Sequence, residues 1–261
     1  MEDLKVTIVQ SSLHWEDIDA NIASFTKMLE GVIPESTDLI VLPEMFSTGF
    51  TMNAAKLGES MNGKAVSWMK KTAAKLKCVI TGSLIIKEND HYYNRLVWMR
   101  PDGTTETYDK RHLFRMGEET DNFTAGTKRI TTELKGWKIC PLICYDLRFP
   151  VWSRNVSNNY DCLIYVANWP DVRSYPWRQL LIARAIENQS YTIGVNRIGV
   201  DGKDMAYEGY SAVIDPKGQI ISTTKPGKPS VETVTLSRKA LDDFRKAFPV
   251  GLDADSFSLT V

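Results

Sequence analysis

Histidine is scarce in this chain: three in 261 residues, His14, His91 and His112. A Cys–His nucleophile would have to use one of them. His112, beside Lys110 in a charged stretch, is the runner-up candidate for a base. Cysteine is scarce too. Cys78, Cys140, Cys144 and Cys162 are too few and too scattered for a disulfide scaffold in a chain of this length. Cys140 and Cys144 stand four apart on an expected strand, with no second pair and no histidine nearby, so a zinc site is not expected. Net charge is lacking as well, with 32 basic residues against 32 acidic ones. That balance offers no general attraction for nucleic acid or an anionic membrane. No apolar run approaches a membrane span, and "MEDLKVTIVQ" has neither the basic start nor the long apolar stretch of a signal peptide. The expectation is a soluble, cytoplasmic protein with reduced thiols.

Familiar fingerprints are missing. No GxGxxG follows the first strand, which argues against a dinucleotide fold, and no GxSxG elbow exists, which removes the usual serine hydrolase. "GESMNGKA" (58–65) nearly spells a phosphate-binding loop. Ala65 stands where the magnesium-binding hydroxyl belongs, and no strand precedes it, so it reads as a loop entering a helix.

What is present is an alternation of short apolar runs with helical patterns. "KVTIVQ" (5–10), "DLIVLPE" (38–44) and "CVITGSLII" (78–86) read as strands. Ile18, Ile22, Phe25, Leu29 and Val32 recur at helical spacing, as do Val66, Met69, Ala73 and Leu76. "YNRLVWMR" and "TTETYDK" around "PDG" predict a hairpin. Strands at 137–144, 162–169 and 191–198 follow, with a helix over 177–189 between the last two. "GYSAVIDPKGQIIS" predicts another hairpin turning at "DPKG". After "VETVTL", Ser237 is placed to cap a last helix with Leu241, Phe244 and Phe248 on one face. Phe257, Leu259 and Val261 alternate as in a strand or a docked tail. The pattern is that of one α/β domain over residues 1–261, with helices covering sheets. Glu44, Cys144 and Asn168 all fall at C-terminal strand ends, where open α/β sheets bind ligands.

Three stretches are odd as plain structure. In "LIVLPEMF" a carboxylate, Glu44, sits at the mouth of a core strand, a costly place unless it is paired. In "ETYDKRHLF" Lys110 precedes an apolar pair. In "PLICYDLRFP" the thiol of Cys144 ends its strand. Taken singly, each fits a structural role: a turn cap, a solvated charge, core filler. Together they supply a base, a cation and a nucleophile, a set able to perform acyl transfer.

In this order the three stretches resemble the carbon–nitrogen hydrolase (nitrilase) superfamily, whose catalytic set is Glu–Lys–Cys. The resemblance implies Glu44 as general base, Lys110 as the oxyanion-stabilising lysine and Cys144 as the nucleophile, its thiolate favoured by Lys110. A second family glutamate lies a few residues before a glycine. In "EETDNFTAG" the spacing to Gly126 favours Glu119 over Glu118, in the role of orienting Lys110 or the amide nitrogen. "ANWP" (167–170), "WRQLLIARAIENQ" (177–189) and "VNRIG" extend the resemblance along the chain. It implies an α-β-β-α sandwich, dimers with a four-layer core, and no metal or organic cofactor.

"CYDLRFP" resembles the omega-amidase branch, which implies short dicarboxylate monoamides such as 2-oxoglutaramate and succinamate as substrates. Arg148 is then a candidate for the substrate's free carboxylate; structural pairing with Asp146 or Glu187 is the alternative, and Arg173 is a second candidate. Tyr145, whose backbone N–H is an oxyanion candidate, joins Phe46, Trp169 and Asn168 as expected pocket residues, although core packing also accounts for the aromatic ones. Within the superfamily, other amide, carbamoyl or nitrile hydrolysis shares the triad. A non-catalytic binding protein keeping the fold is the alternative from another class.

Overall fold

The computed structural model describes residues 2–255 and 257–259. Its strands are β1 (Leu4–Gln10), β2 (Leu39–Val41), β3 (Val79–Glu88), β4 (His91–Met99), β5 (Thr105–Asp109), β6 (Thr132–Leu134), β7 (Trp137–Ile143), β8 (Cys162–Ala167), β9 (Tyr191–Asn196), β10 (Ile198–Val200), β11 (Ala206–Glu208), β12 (Ala212–Ile214) and β13 (Ser230–Leu236). The main helices are α1 (Ile18–Met28), α3 (Lys64–Leu76), α6 (Ser174–Asn188) and α7 (Arg238–Ala247). Single turns form α2 (Ala54–Leu57), α4 (Glu119–Asn122) and α5 (Pro150–Ser153).

Two sheets carry the architecture, one in the order β13-β1-β2-β3-β4-β5 and the other β12-β9-β8-β7-β6. The strands β1, β2 and β3 run parallel, as do β7, β8 and β9. Leu4, Val6 and Ile8 alternate along β1 onto the inner face, where they meet Trp137, Ile139 and their neighbours from the second sheet. Val9, Ile40 and Ile80 face the other way, onto Phe25 of α1 and Met69 and Ala73 of α3. On the far side Trp177, Leu181 and Ala185 of α6 cover the second sheet. The layers are therefore helix, sheet, sheet, helix. Each fully buried Leu, Ile or Phe stabilises this stack by roughly 1.5–3 kcal/mol relative to exposure. No helix among the described residues is long and apolar enough to cross a membrane.

Most expected elements form within a few residues of their sequence bounds. Ser237 caps α7, accepting from Ala240 N–H. Four expectations need correction. The "DPKG" turn forms, but its second arm makes only an isolated bridge, Ile214 to Ile220, because Val213 N–H donates to Ser222 Oγ rather than to the facing backbone. The run expected as one strand over 191–198 breaks at Arg197, and its end pairs instead with β11 in a separate hairpin. Phe257 and Leu259 are about half exposed and lie in no strand; Val261 lies outside the described residues. On α7 only Leu241 is buried, and Phe248 follows the helix end with most of its surface exposed.

Candidate active site

Two strand ends and one loop bring the polar residues together. β2 ends at Val41, and Glu44 follows three residues later, entirely buried. β7 ends at Ile143 and Cys144 begins a 3-10 turn, Cys144–Arg148. The backbone of Cys144 is left-handed, φ 43°, a conformation that costs energy for a residue with a Cβ and concentrates at functional sites. That turn leaves the Tyr145 N–H with no protein partner among the described residues, as the first donors of a helical turn are. Lys110 follows β5, and Glu119 opens α4. Gly126, beyond Glu119, ties this segment back to its start: its N–H donates to Lys110 O at 2.9 Å, and a Cβ there would clash with Asp109 O. Only glycine fits so close an approach.

The polar side chains form one buried cluster. Lys110 Nζ donates to Glu44 Oε1 at 2.9 Å and to Glu119 Oε1 and Oε2 at 3.0 and 2.8 Å. An ammonium has three hydrogens, so all of them are taken. Asn94, in the middle of β4, donates to Glu44 Oε1 at 2.8 Å and Glu119 Oε1 at 3.0 Å. Glu119 Oε2 also accepts from Phe114 N–H at 2.6 Å, and Glu44 Oε2 from Asn168 N–H at 2.7 Å. The sequence did not single out Asn94. A buried asparagine inside the apolar run "YNRLVWM" was the available signal.

Charge in this dry cluster sets the protonation states. Burial works to lower the ionisation of Lys110, but Glu119 and Glu44 outweigh it and hold the ammonium well above its ordinary range. Glu119 is pushed up by burial, with Glu44's negative charge adding to it and Lys110 countering. Burial and then Glu44 push the Cys144 thiol well above its usual range, and Lys110's opposing pull is smaller. Lys110 does favour the thiolate, as expected, but burial and Glu44 outweigh it. Glu44 is the carboxylate that acts most strongly on this thiol.

Cys144 opens on a cavity of about 460 Å³. Tyr145, Trp169, Asn168, Arg148 and Arg173 line it, as expected. Phe46 does not: it packs edge-on against Phe25 and near Trp68 in the helix-side core. The left-handed backbone of Met45, φ 41°, turns the chain between Glu44 and Phe46, so the two no longer share a face. His112 stands apart from the thiol's chemistry. Its ring stacks on Phe149 at 3.7 Å, and its Nδ1 hydrogen-bonds Asp146 Oδ1 at 2.8 Å.

The structural pairing considered for Arg148 is not made. Asp146 is saturated by Tyr108 Oη, Ile143 N–H and His112, and Glu187 pairs with Arg184. Arg148 is exposed and lies over the Trp169 ring at 5.1 Å. Arg173 lies over Phe114 at 5.4 Å. Neither guanidinium forms an ion pair among the described residues. Phe50, Phe114, Asp201 and Tyr207 also line the cavity and were not foreseen.

A buried carboxylate–lysine–carboxylate cluster beside a thiol at a strained strand end is the arrangement the sequence resemblance implied. Residues 5–246 match the carbon-nitrogen hydrolase family model. The chain belongs to that family. Omega-amidase YafV of Escherichia coli (strain K12) is 46% identical over 259 residues, 99% of this chain and 100% of that protein. The 2-oxoglutaramate amidase of Bacillus subtilis (strain 168) is 37% identical over 189 residues, 71% of this chain and 73% of that one. The crystal structure of XC1258 from Xanthomonas campestris, a CN-hydrolase superfamily protein with an arsenic adduct in its active site, superposes with a TM-score of 0.97 at 43% identity, covering 100% of both chains. This carbon-nitrogen hydrolase is an amidase with the mixed α/β nitrilase-superfamily fold, its sheets flanked by helices.

Proposed function

We propose that the chain hydrolyses the terminal amide of short dicarboxylate monoamides, 2-oxoglutaramate and succinamate, to the dicarboxylic acid and ammonia. The observation that carries this is the cavity's composition. The space that receives Cys144 also holds Arg148 and Arg173, two guanidiniums without carboxylate partners among the described residues. A substrate with an amide at one end and a carboxylate at the other would satisfy both ends. Similarity to proteins named omega-amidase and 2-oxoglutaramate amidase supports the same reading.

Cys144 Sγ attacks the amide carbon as Glu44 takes the thiol proton, forming the S–C bond and a tetrahedral oxyanion. The Tyr145 N–H and Lys110 stabilise that oxygen, each donor worth about 3–4 kcal/mol in comparable sites. Since all three Lys110 hydrogens are committed to carboxylates, Lys110 exchanges one of its two Glu119 bonds to do so. Glu44 passes the proton to nitrogen, the C–N bond breaks and ammonia leaves a thioester. Water then attacks the thioester carbon with its proton going to Glu44, the S–C bond breaks to release the acid, and Glu44 returns the proton to Cys144 Sγ. Glu119 holds Lys110 in place throughout.

The test is ammonia release from succinamate, 2-oxoglutaramate, a neutral amide and a nitrile, with Cys144→Ala as control. Turnover of the two carboxylate-bearing amides above the others, abolished in Cys144→Ala, is expected. Preference for the neutral amide or the nitrile would overturn the substrate assignment. A cytoplasmic homodimer belongs to the same proposal. Val172, Tyr175 and Ile186 expose apolar side chains on and beside α6, and sedimentation at two concentrations separates monomer from dimer.

A further inference from the structure

The hairpin of β10 and β11 lies at the cavity with a polar pair that the triad does not use. Tyr207, on β11, is almost wholly buried and lines the cavity with Cys144. Its hydroxyl donates to Asp201 Oδ2 at 2.8 Å. Asp201 is itself fixed, because its Oδ1 accepts from Lys203 N–H at 2.8 Å and Met205 N–H at 3.0 Å. Beneath the Tyr207 ring lies the wholly buried guanidinium of Arg197, 4.6 Å from its centroid. The phenol proton is thus committed to Asp201, and the oxygen offers only lone pairs to anything else. Burial and the bond to Asp201 together keep that proton bound.

We propose that Tyr207 Oη accepts an N–H hydrogen of the substrate carboxamide, with Asp201 as the positioning residue that makes Tyr207 an acceptor. This rests on the amide-hydrolysis reading above and extends it to how an amide is told from an ester or a nitrile, neither of which has an N–H to give. An acceptor at this place holds the –NH₂ group while Cys144 attacks its carbon, and it raises amide turnover without touching the acyl part.

Succinamate and monomethyl succinate test it, since both would leave the same succinyl thioester on Cys144 and differ only in releasing ammonia or methanol. In Tyr207→Phe, kcat/KM for the amide should fall about tenfold while that for the ester stays within about twofold, the loss of one hydrogen bond. Asp201→Asn is the sharper variant. Lys203 and Met205 N–H still claim Oδ1, so the new Nδ2 faces Tyr207 and turns the phenol proton toward the cavity. The amide should then lose at least as much as in Tyr207→Phe, and the ester should hold or gain. Equal losses on amide and ester in either variant, or an unchanged ratio in both, would overturn the proposal. If succinamate is inert but propionamide is hydrolysed, the dicarboxylate reading falls and propionamide with methyl propionate carries this test. Inertness toward both amides would overturn both.

Discussion

Lys110 Nζ donates to Glu44 Oε1 across 2.9 Å, and neither side chain has any exposed surface. A lone pair of this kind would be balanced. Glu119 adds a second carboxylate 2.8 Å from the same nitrogen, so a single cation holds two buried anions. Desolvating three charged groups is expensive, and the cluster survives because each carboxylate also accepts from Asn94 and from a backbone N–H. Its members are therefore interdependent.

Lys110→Met should destabilise the fold by about 3–5 kcal/mol at neutral pH, since it leaves Glu44 and Glu119 facing each other without a cation. Part of that loss should return as pH falls and one carboxylate takes a proton. Urea unfolding at pH 7.5 and 5.5 checks both statements. A loss below about 1 kcal/mol, or one indifferent to pH, would mean the cluster is not coupled as described.

Glu119 carries a folded-state pKa above its unfolded one. Its contribution to stability is then fully present below the unfolded pKa and is lost as pH rises through the folded value. Glutamine imitates the protonated form and removes this dependence. The stability of the native protein relative to Glu119→Gln should therefore be smaller at pH 7.5 than at pH 5. Denaturant titration of both proteins gives the sign, and the opposite trend would show Glu119 to be stabilised as the anion.

Cys144 should be the thiol that iodoacetamide reaches first. It opens on the cavity, whereas Cys140 and Cys162 are sealed and burial pushes Cys78 and Cys140 up to about 12. Because the Cys144 thiol is also raised, its alkylation rate should climb continuously from pH 7 to 10. Peptide mapping after timed labelling measures this. A rate already level at pH 7 would reveal a preformed thiolate.

Arg148→Met and Arg173→Met separate the two candidate carboxylate partners. The residue that binds the substrate's carboxylate should raise KM for succinamate on the order of tenfold, through loss of a charge-assisted contact, and leave a neutral amide unaffected. Steady-state kinetics on both substrates decides between them. A change shared equally by the two substrates would mark the arginine as structural.

Much of this site was legible before the chain was folded. "LIVLPEMF", "ETYDKRHLF" and "PLICYDLRFP" each set a reactive group where an apolar run stops, and strand ends are readable from local pattern. The spacing from Glu119 to Gly126 was readable too, and the fold gives its reason in the close approach to Asp109 O. Phe46 was misplaced because alternation holds only while the strand continues, and β2 stops at Val41, ahead of the left-handed turn at Met45. The hairpin of β10 and β11 escaped notice because strands of three residues carry too little periodicity to detect.

By itself, the sequence determined the layered α/β pattern, the positions of Glu44, Lys110 and Cys144 at the ends of their segments, and the family they resemble. Those features depend on neighbours a few residues away, through period, cap and turn. Only the tertiary structure decided that Lys110 is shared between two carboxylates, that burial and Glu44 raise the Cys144 thiol, and that Asp146 is too fully occupied to hold Arg148. Each of these depends on how charge and burial balance among segments distant along the chain. That balance exists only once the sheets have stacked and excluded water.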